Sequence, residues 1–349
     1  MDITLSTMIA AIASEPVLLL IVVLCLGATM VNGATDAPNA IATVVGTRAM
    51  GPTSAIVMAA ICNFTGLVVI TAVSTAVAST IFNMVDFGGD NRAALVALSA
   101  AMVAIIVWGV AAWAFGIPTS QSHSLIAGIT GAAIALQGGL GGVNAAEWLK
   151  VIYGLAISTG LGFGTGWLFA RLIKLICAGM SRPRLTVFFK WAQIVAGAGV
   201  AMLHGAQDGQ KFLSLTMLAM VLGIYGSSEM TGFPLWVVML ISLVMALGTA
   251  VGGRKIIKSV GMSMVKMEQY QGFAACLSAC FCIGLATFTG VPISTTHTKT
   301  TAIMGVGAEK RLRAVKWNLA GSMILTWVLT FPGCGILAFA FTHLFLLVL

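Results

Sequence analysis

Uncharged apolar runs alternate with short charged or turn-forming stretches along the whole chain. The runs 16–46, 53–80, 151–170, 191–226, 233–252 and 317–347 each hold the roughly 20 apolar residues that cross a hydrocarbon layer of about 30 Å. Two further segments, 93–136 and 271–308, are apolar but broken in the middle by Gly-Ile-Pro and Gly-Val-Pro. Each resumes with a Ser/Thr-rich turn and a second apolar stretch, which predicts a helical hairpin with its tip inside the membrane. The pattern predicts an all-α polytopic membrane protein. A soluble domain is excluded: 8% of the 349 residues are charged and 59% hydrophobic, whereas soluble domains carry about 25% charged residues.

One polar stretch interrupts the first run. NGATDAPNA at 32–40 places a carboxylate, two amides, a glycine and a proline among residues that otherwise carry no charge. The chain repeats it: HGAQDGQK at 204–211 matches NGATDAPN at 32–39, and Asp208 follows Asp36 by 172 positions. GVPISTTHTKTTAIMGVGA at 290–308 likewise matches GIPTSQSHSLIAGITGAAI at 116–134, with His297 174 positions after His123. Two motifs recurring in one order at nearly one offset mark a duplicated unit. The expected divisions are an N-terminal segment 1–15, a first repeat 16–175, a cytoplasmic linker 176–190 and a second repeat 191–349.

The net charge of +8 sits in loops. Arg171, Lys174, Arg182, Arg184 and Lys190 form one cluster, Arg254, Lys255, Lys258 and Lys266 a second, and Lys310, Arg311, Arg313 and Lys316 a third. Basic loops stay cytoplasmic. Counting spans outward from 171–190 then puts all three clusters inside, both termini outside, and the two repeats in opposite orientations. This is an inverted-topology repeat, each half with broken helices and a re-entrant hairpin, as in many secondary transporters. Basic clusters in short membrane loops give no footprint for nucleic acid. The start, MDITLSTMIAAIASEP, has no basic region ahead of an apolar one, so the first run is expected to remain as a span. The seven cysteines lack C-x-x-C spacing and lie mostly in apolar runs, where a thiol behaves as a small hydrophobe.

Asp36 and Asp208 lie well inside apolar spans. An intramembrane aspartate costs about 2.5–3.5 kcal/mol on insertion scales, so a duplicated one is expected to serve a function. Asn32 and Asn39 flank the first, and Gln207 and Gln210 the second. Gly33, Pro38, Gly205 and Gly209 are expected to unwind the helix locally and free its carbonyls. Asp36, Asn39, Asp208 and Gln210 form a candidate cation site, for Na⁺ held by oxygens at the aspartates or for a proton on a carboxylate. No cofactor is implied beyond this coupling ion.

PTSQSH (118–123) and PISTTH (292–297) set a proline before a hydroxyl-rich helix start, the composition of a helix N-terminus. Such ends present free N–H groups and a positive dipole end to anions. Two of them, with Thr119, Ser120, Gln121, Ser122, Ser294, Thr295 and Thr296, predict a cradle for a tetrahedral oxyanion. His123 and His297 are expected to hold the tips in place. Together the residues predict a cation-coupled oxyanion carrier.

These stretches resemble the inorganic phosphate transporter (PiT) family. GATDAPNA (33–40) and GAQDGQK (205–211) are similar to its signatures G-A-N-D-x-x-N-A and G-A-N-D-x-Q-K, and both hairpin motifs match its P-x-S-x-x-H. The resemblance covers roughly 30–330. It implies inverted repeats with two hairpins, both termini outside, commonly a homodimer in the lipid bilayer of the cell (plasma or inner) membrane. It also implies symport of inorganic phosphate with Na⁺ or H⁺ by alternating access. Asp36, Asn39, Asp208 and Gln210 are the positions that match the signatures.

The chain departs from the family at Thr35 and Gln207, where an asparagine usually precedes each aspartate. Cys276 stands where the family often has a glutamate, and Lys299 where an apolar residue is usual. Lys299 is thus a candidate substrate-binding residue, its ammonium standing in for a bound cation; alternatively it snorkels to water. Sulfate or another tetrahedral oxyanion is the alternative substrate. An intramembrane hydrolase is disfavoured, since every candidate residue occurs in duplicate and no G-x-S-x-G elbow is present. A channel would conduct without a coupling ion.

Overall fold

Lipid offers no partners for backbone N–H and C=O groups, so apolar runs that enter it must pair those groups internally, as helices. The computed structural model describes residues 3–88, 90–115, 119–226, 232–261 and 267–349, without the side chains of Arg182, 253–261 and Leu319. A short helix α1 (Leu5–Ser14) precedes the first repeat, which holds α2 (Pro16–Thr35), α3 (Ala37–Gly46), α4 (Pro52–Val73), α5 (Ala76–Phe82), α6 (Asn91–Phe115), α7 (Gln121–Gln137) and α8 (Ala145–Ile176). The second holds α9 (Arg182–Tyr225), α10 (Leu235–Gly261), α11 (Gln269–Thr289), α12 (Thr295–Lys310) and α13 (Trp317–Val348). Among the described residues eight segments are long and apolar enough to cross a membrane. Val57, Ile61, Val69, Leu325 and Val328 are exposed on the outer faces, as lipid contact requires.

The helices pair by exchange between the repeats. Hairpin arm α7 packs on α13 of the second repeat, and its counterpart α12 packs on α8 of the first. In the same way α4 packs on α9 and α10 on α2 and α3, while α4 and α10 meet each other. Each of these contacts has a mate, which is what a pseudo-twofold axis in an inverted repeat demands. Small residues permit the close crossings: a Cβ on Gly33 would run into the Met245 carbonyl, and one on its repeat mate Gly205 into the Asn63 backbone.

The ends of the helices define two faces. On one, Arg171 and Lys174 reach Glu309 at 3.7 and 3.3 Å, and Lys310 reaches Glu268 at 3.8 Å. The first and third basic clusters therefore share a face; in the second, the Arg254, Lys255 and Lys258 side chains and all of Lys266 lie outside the described residues. On the other face, Arg92 pairs with Glu15 at 3.0 Å and donates to the Leu349 carbonyl at 2.7 Å, which brings the two ends of the chain together.

Three details differ from the expectations. Helix α9 runs unbroken through Asp208, because Gly205 and Gly209 serve close packing against Asn63 and Leu67 rather than unwinding. The first repeat does break at its aspartate: Asp36 separates α2 from α3, with Pro38 in the first turn of α3. The stretch 176–190 is mostly helix, since α9 starts at Arg182. The run 53–80 is also split at Ser74 and Thr75, between α4 and α5.

Candidate functional site

Both hairpin tips end in a serine N-cap. Ser120 Oγ accepts from the His123 N–H at 3.3 Å, and Ser294 Oγ from the His297 N–H at 3.2 Å. Pro118 lies outside the described residues. The tips touch: the His123 and His297 rings lie 4.3 Å apart edge to face, His297 stacks on Trp327 at 3.6 Å and His123 on Phe331 at 4.4 Å. The histidines thus clamp the tips to each other and to α13, as expected of structural residues.

The two aspartates meet these tips in the protein interior. Asp208 Oδ1 accepts from Lys211 Nζ at 2.8 Å and Ser122 Oγ at 3.2 Å; Oδ2 accepts from Thr295 Oγ1 at 3.2 Å and Asn32 Nδ2 at 3.4 Å. His204 Nε2 stands 3.2 Å from Oδ2. Lys211 also donates to Ser122 Oγ and to the Ile293 carbonyl, both at 2.6 Å, so all three ammonium protons have acceptors. Asp36 is poorer in partners. Gln121 N–H, in the first turn of α7, donates to its Oδ2 at 3.2 Å, and among the described residues no cationic side chain lies within ion-pair distance of it.

The contacts obey the internal symmetry. Asn39 donates to Thr296 Oγ1 at 2.9 Å, and its repeat mate Lys211 reaches Ser122, the mate of Thr296. Gln121 serves Asp36 as its mate Thr295 serves Asp208. Each carboxylate is seated on a hairpin tip, so the acidic residues and the helix ends share one centre. Around them Asn32 Oδ1 and Asn39 Oδ1 are buried acceptors without a donor. Orphaned carboxamide oxygens beside a carboxylate form a donor set that fits a hard cation.

Two candidates fall elsewhere. Gln210 turns away from the aspartates: its Nε2 donates to the Ser74 carbonyl at 2.7 Å and its Oε1 accepts from the Ala78 N–H at 3.3 Å, patching the α4–α5 break. Residues two apart on a helix face different directions, so Gln210 does not share the Asp208 face. Lys299 neither snorkels nor joins the cluster. It is 1% exposed and donates to Cys276 Sγ at 3.0 Å, so the chain's two departures in the second hairpin touch each other. Lys299 also lines, with Asp36, Asn39, His204 and Thr295, a narrow gap too small for water. Of the remaining candidates, Thr119 is buried at its tip and the Gln121 carboxamide is buried without a partner, packed on Gly109.

The sequence reading missed Lys211, His204 and Asn63. His204 Nδ1 lies 2.9 Å from Asn63 Oδ1, and Asn63 Nδ2 donates to Thr249 Oγ1 at 3.1 Å across the α4–α10 contact. The signal for Lys211 was present: a cation three residues after an intramembrane acid lies on its face of the helix.

An inverted pair of repeats, with acids and broken hairpins converging in the interior, defines the class as a multi-pass membrane transporter. The description "Phosphate transporter family" matches residues 32–184 and again 177–338. A "Probable low-affinity inorganic phosphate transporter" of Bacillus subtilis (strain 168) is 36% identical over 314 residues, 90% of this chain and 92% of that one. One of the same name from Rhizobium meliloti (strain 1021) is 33% identical, over 93% of this chain and 95% of that one. A solved structure, "The sodium-dependent phosphate transporter", matches with a TM-score of 0.88 at 22% identity, over 96% of this chain and all of that one, and shares the fold. The chain belongs to the phosphate transporter family. The named relatives are transporters, not enzymes.

Proposed function

We propose that this chain carries inorganic phosphate across the cell membrane by symport with Na⁺ and alternating access. The observation that carries the reading is the convergence of two hairpin tips and two aspartates in one buried, pseudo-twofold centre. Helix α7 and α12 N-termini supply N–H groups and hydroxyls (Ser120, Ser122, Ser294, Thr295, Thr296) for the phosphate oxygens. Asp36, with Asn39 on the same gap, takes the coupling cation. Asp208 is already neutralised by Lys211, so it orders the tips rather than binding a second ion. The order of events follows from electrostatics: a cation beside Asp36 releases Gln121 N–H and its helix end for the anion. The family supports phosphate, and the sodium dependence named for the structural relative supports Na⁺ over H⁺.

In the same proposal the face carrying the basic clusters is cytoplasmic, both termini lie outside, and the protein assembles as a homodimer. The test is uptake of radiolabelled phosphate and sulfate into proteoliposomes, with and without Na⁺ and a pH gradient. Na⁺-dependent phosphate uptake is expected. Uptake driven by the pH gradient alone would assign the proton, and preference for sulfate would replace the substrate.

A further inference from the structure

On the face that carries the basic helix ends lies a cavity of about 620 Å³, lined by Thr47, Lys174, Glu268 and Tyr270 among others. A line of polar groups leads from it to the centre. Thr47 Oγ1 donates to Gln193 Oε1 at 2.9 Å, Gln193 Nε2 donates to the Thr43 carbonyl at 3.0 Å, and Thr43 Oγ1 meets Cys276 Sγ at 3.2 Å. Cys276 holds Lys299, which borders the gap against Asp36 and Asn39. Gln193, Thr43, Cys276 and Lys299 are all buried.

The internal symmetry supplies a control. At the repeat offsets, Thr43, Thr47, Gln193 and Cys276 correspond to Leu215, Ala219, Ile21 and Met102, and Lys299 to Leu125. All five mates are fully buried members of one apolar core. One half of the molecule is therefore sealed by packed hydrocarbon, and the equivalent half by a thin chain of hydrogen bonds around a buried ammonium. An ammonium so placed is expensive in a membrane, and a thiol is a weak acceptor for it; an anion is the partner it lacks.

We infer that Lys299, with Thr43, forms a second oxyanion station between the centre and the basic-face cavity, closed off by the Gln193–Thr47 hydrogen bond. It rests on the proposed oxyanion transport and adds the route. The protein carries its own reporter, because Cys276 touches both Lys299 and Thr43.

The test labels the native transporter in proteoliposomes of known orientation with an anionic methanethiosulfonate (sulfonatoethyl) and a neutral one (methyl). Peptide mass spectrometry reads each of the seven cysteines, with Cys177 on the cavity wall as the accessible control. The expected result is labelling of Cys276 by the anionic reagent from the basic face only, slowed by inorganic phosphate and accelerated in Gln193→Ala. Lys299→Met removes an ammonium that favours the reactive thiolate toward both reagents, so the ratio is read. The anionic reagent should slow roughly ten-fold more than the neutral one, the size of one unit charge at about 10 Å in intermediate dielectric, and Lys299→Arg should restore the ratio. Labelling from the opposite face, or equal slowing of both reagents, overturns the station. Intact phosphate uptake with Cys276 never labelled also overturns it while leaving the proposed function standing. The expected labelling without phosphate uptake keeps the route and removes the substrate.

Discussion

Lys211 Nζ sits 2.8 Å from Asp208 Oδ1, one helical turn along the same unbroken helix, whereas the repeat mate of Lys211 is the neutral Asn39. The duplicated acids are therefore unequal. One is an internal ion pair, and the other, among the described residues, has no cationic side chain within ion-pair distance.

Removing the ammonium strands a carboxylate. Lys211→Met should destabilise the detergent-solubilised protein by about 3–5 kcal/mol, the size of leaving one buried charge unpaired. The double variant Lys211→Met, Asp208→Asn should recover at least half of the lost melting temperature. Thermal unfolding followed by tryptophan fluorescence checks both.

The acids should also separate in transport. Asp36→Asn is expected to raise the Na⁺ concentration for half-maximal phosphate uptake about ten-fold or more, one lost charge-assisted contact being worth roughly 1.5–3 kcal/mol. Asp208→Asn should lower the yield of folded protein more than it moves the Na⁺ midpoint. Equal Na⁺ midpoints in the two variants would remove the assignment of the cation to Asp36.

Ser120→Ala and Ser294→Ala each delete an N-cap whose bond length matches its mate's within 0.1 Å (3.3 against 3.2 Å). Each should cost about 1 kcal/mol, and the two melting-temperature shifts should be equal. Shifts differing several-fold would mean that the tips are not energetic equivalents.

Gly33→Val and Gly205→Val should abolish folded yield in size-exclusion chromatography, because their side chains meet the Met245 and Asn63 backbones, which cannot retreat. Gly160→Ala on α8 meets nothing within 4 Å. It is expected to be neutral or to add up to about 1 kcal/mol of helix propensity.

The spans, the duplication, the paired acids and the serine-capped tips were legible in the sequence because each leaves a periodic or repeated mark. Residues whose role depends on helix phase or on exchange between repeats were not. Gln210 sits in a signature and so looked like a ligand, yet its position two residues from Asp208 points it at the α4–α5 break. Gly205 and Gly209 looked like hinges, but a glycine that unwinds and a glycine that packs read the same until the neighbour is known. Gln193 left no mark at all: one amide near the start of a long apolar run gains meaning only when Thr43 and Thr47 arrive from α3.

The exchange of arms also has a consequence for biosynthesis. When the ribosome has delivered the first repeat, α4 and α7 are already in the bilayer, but the surfaces they need, on α9 and α13, do not yet exist. Those faces carry Asn63, His123 and the Gly131 notch against the Gly335 backbone, groups that lipid solvates poorly. Those polar faces therefore find their native partners only once α9 and α13, the latter the last helix in the chain order, have entered the membrane.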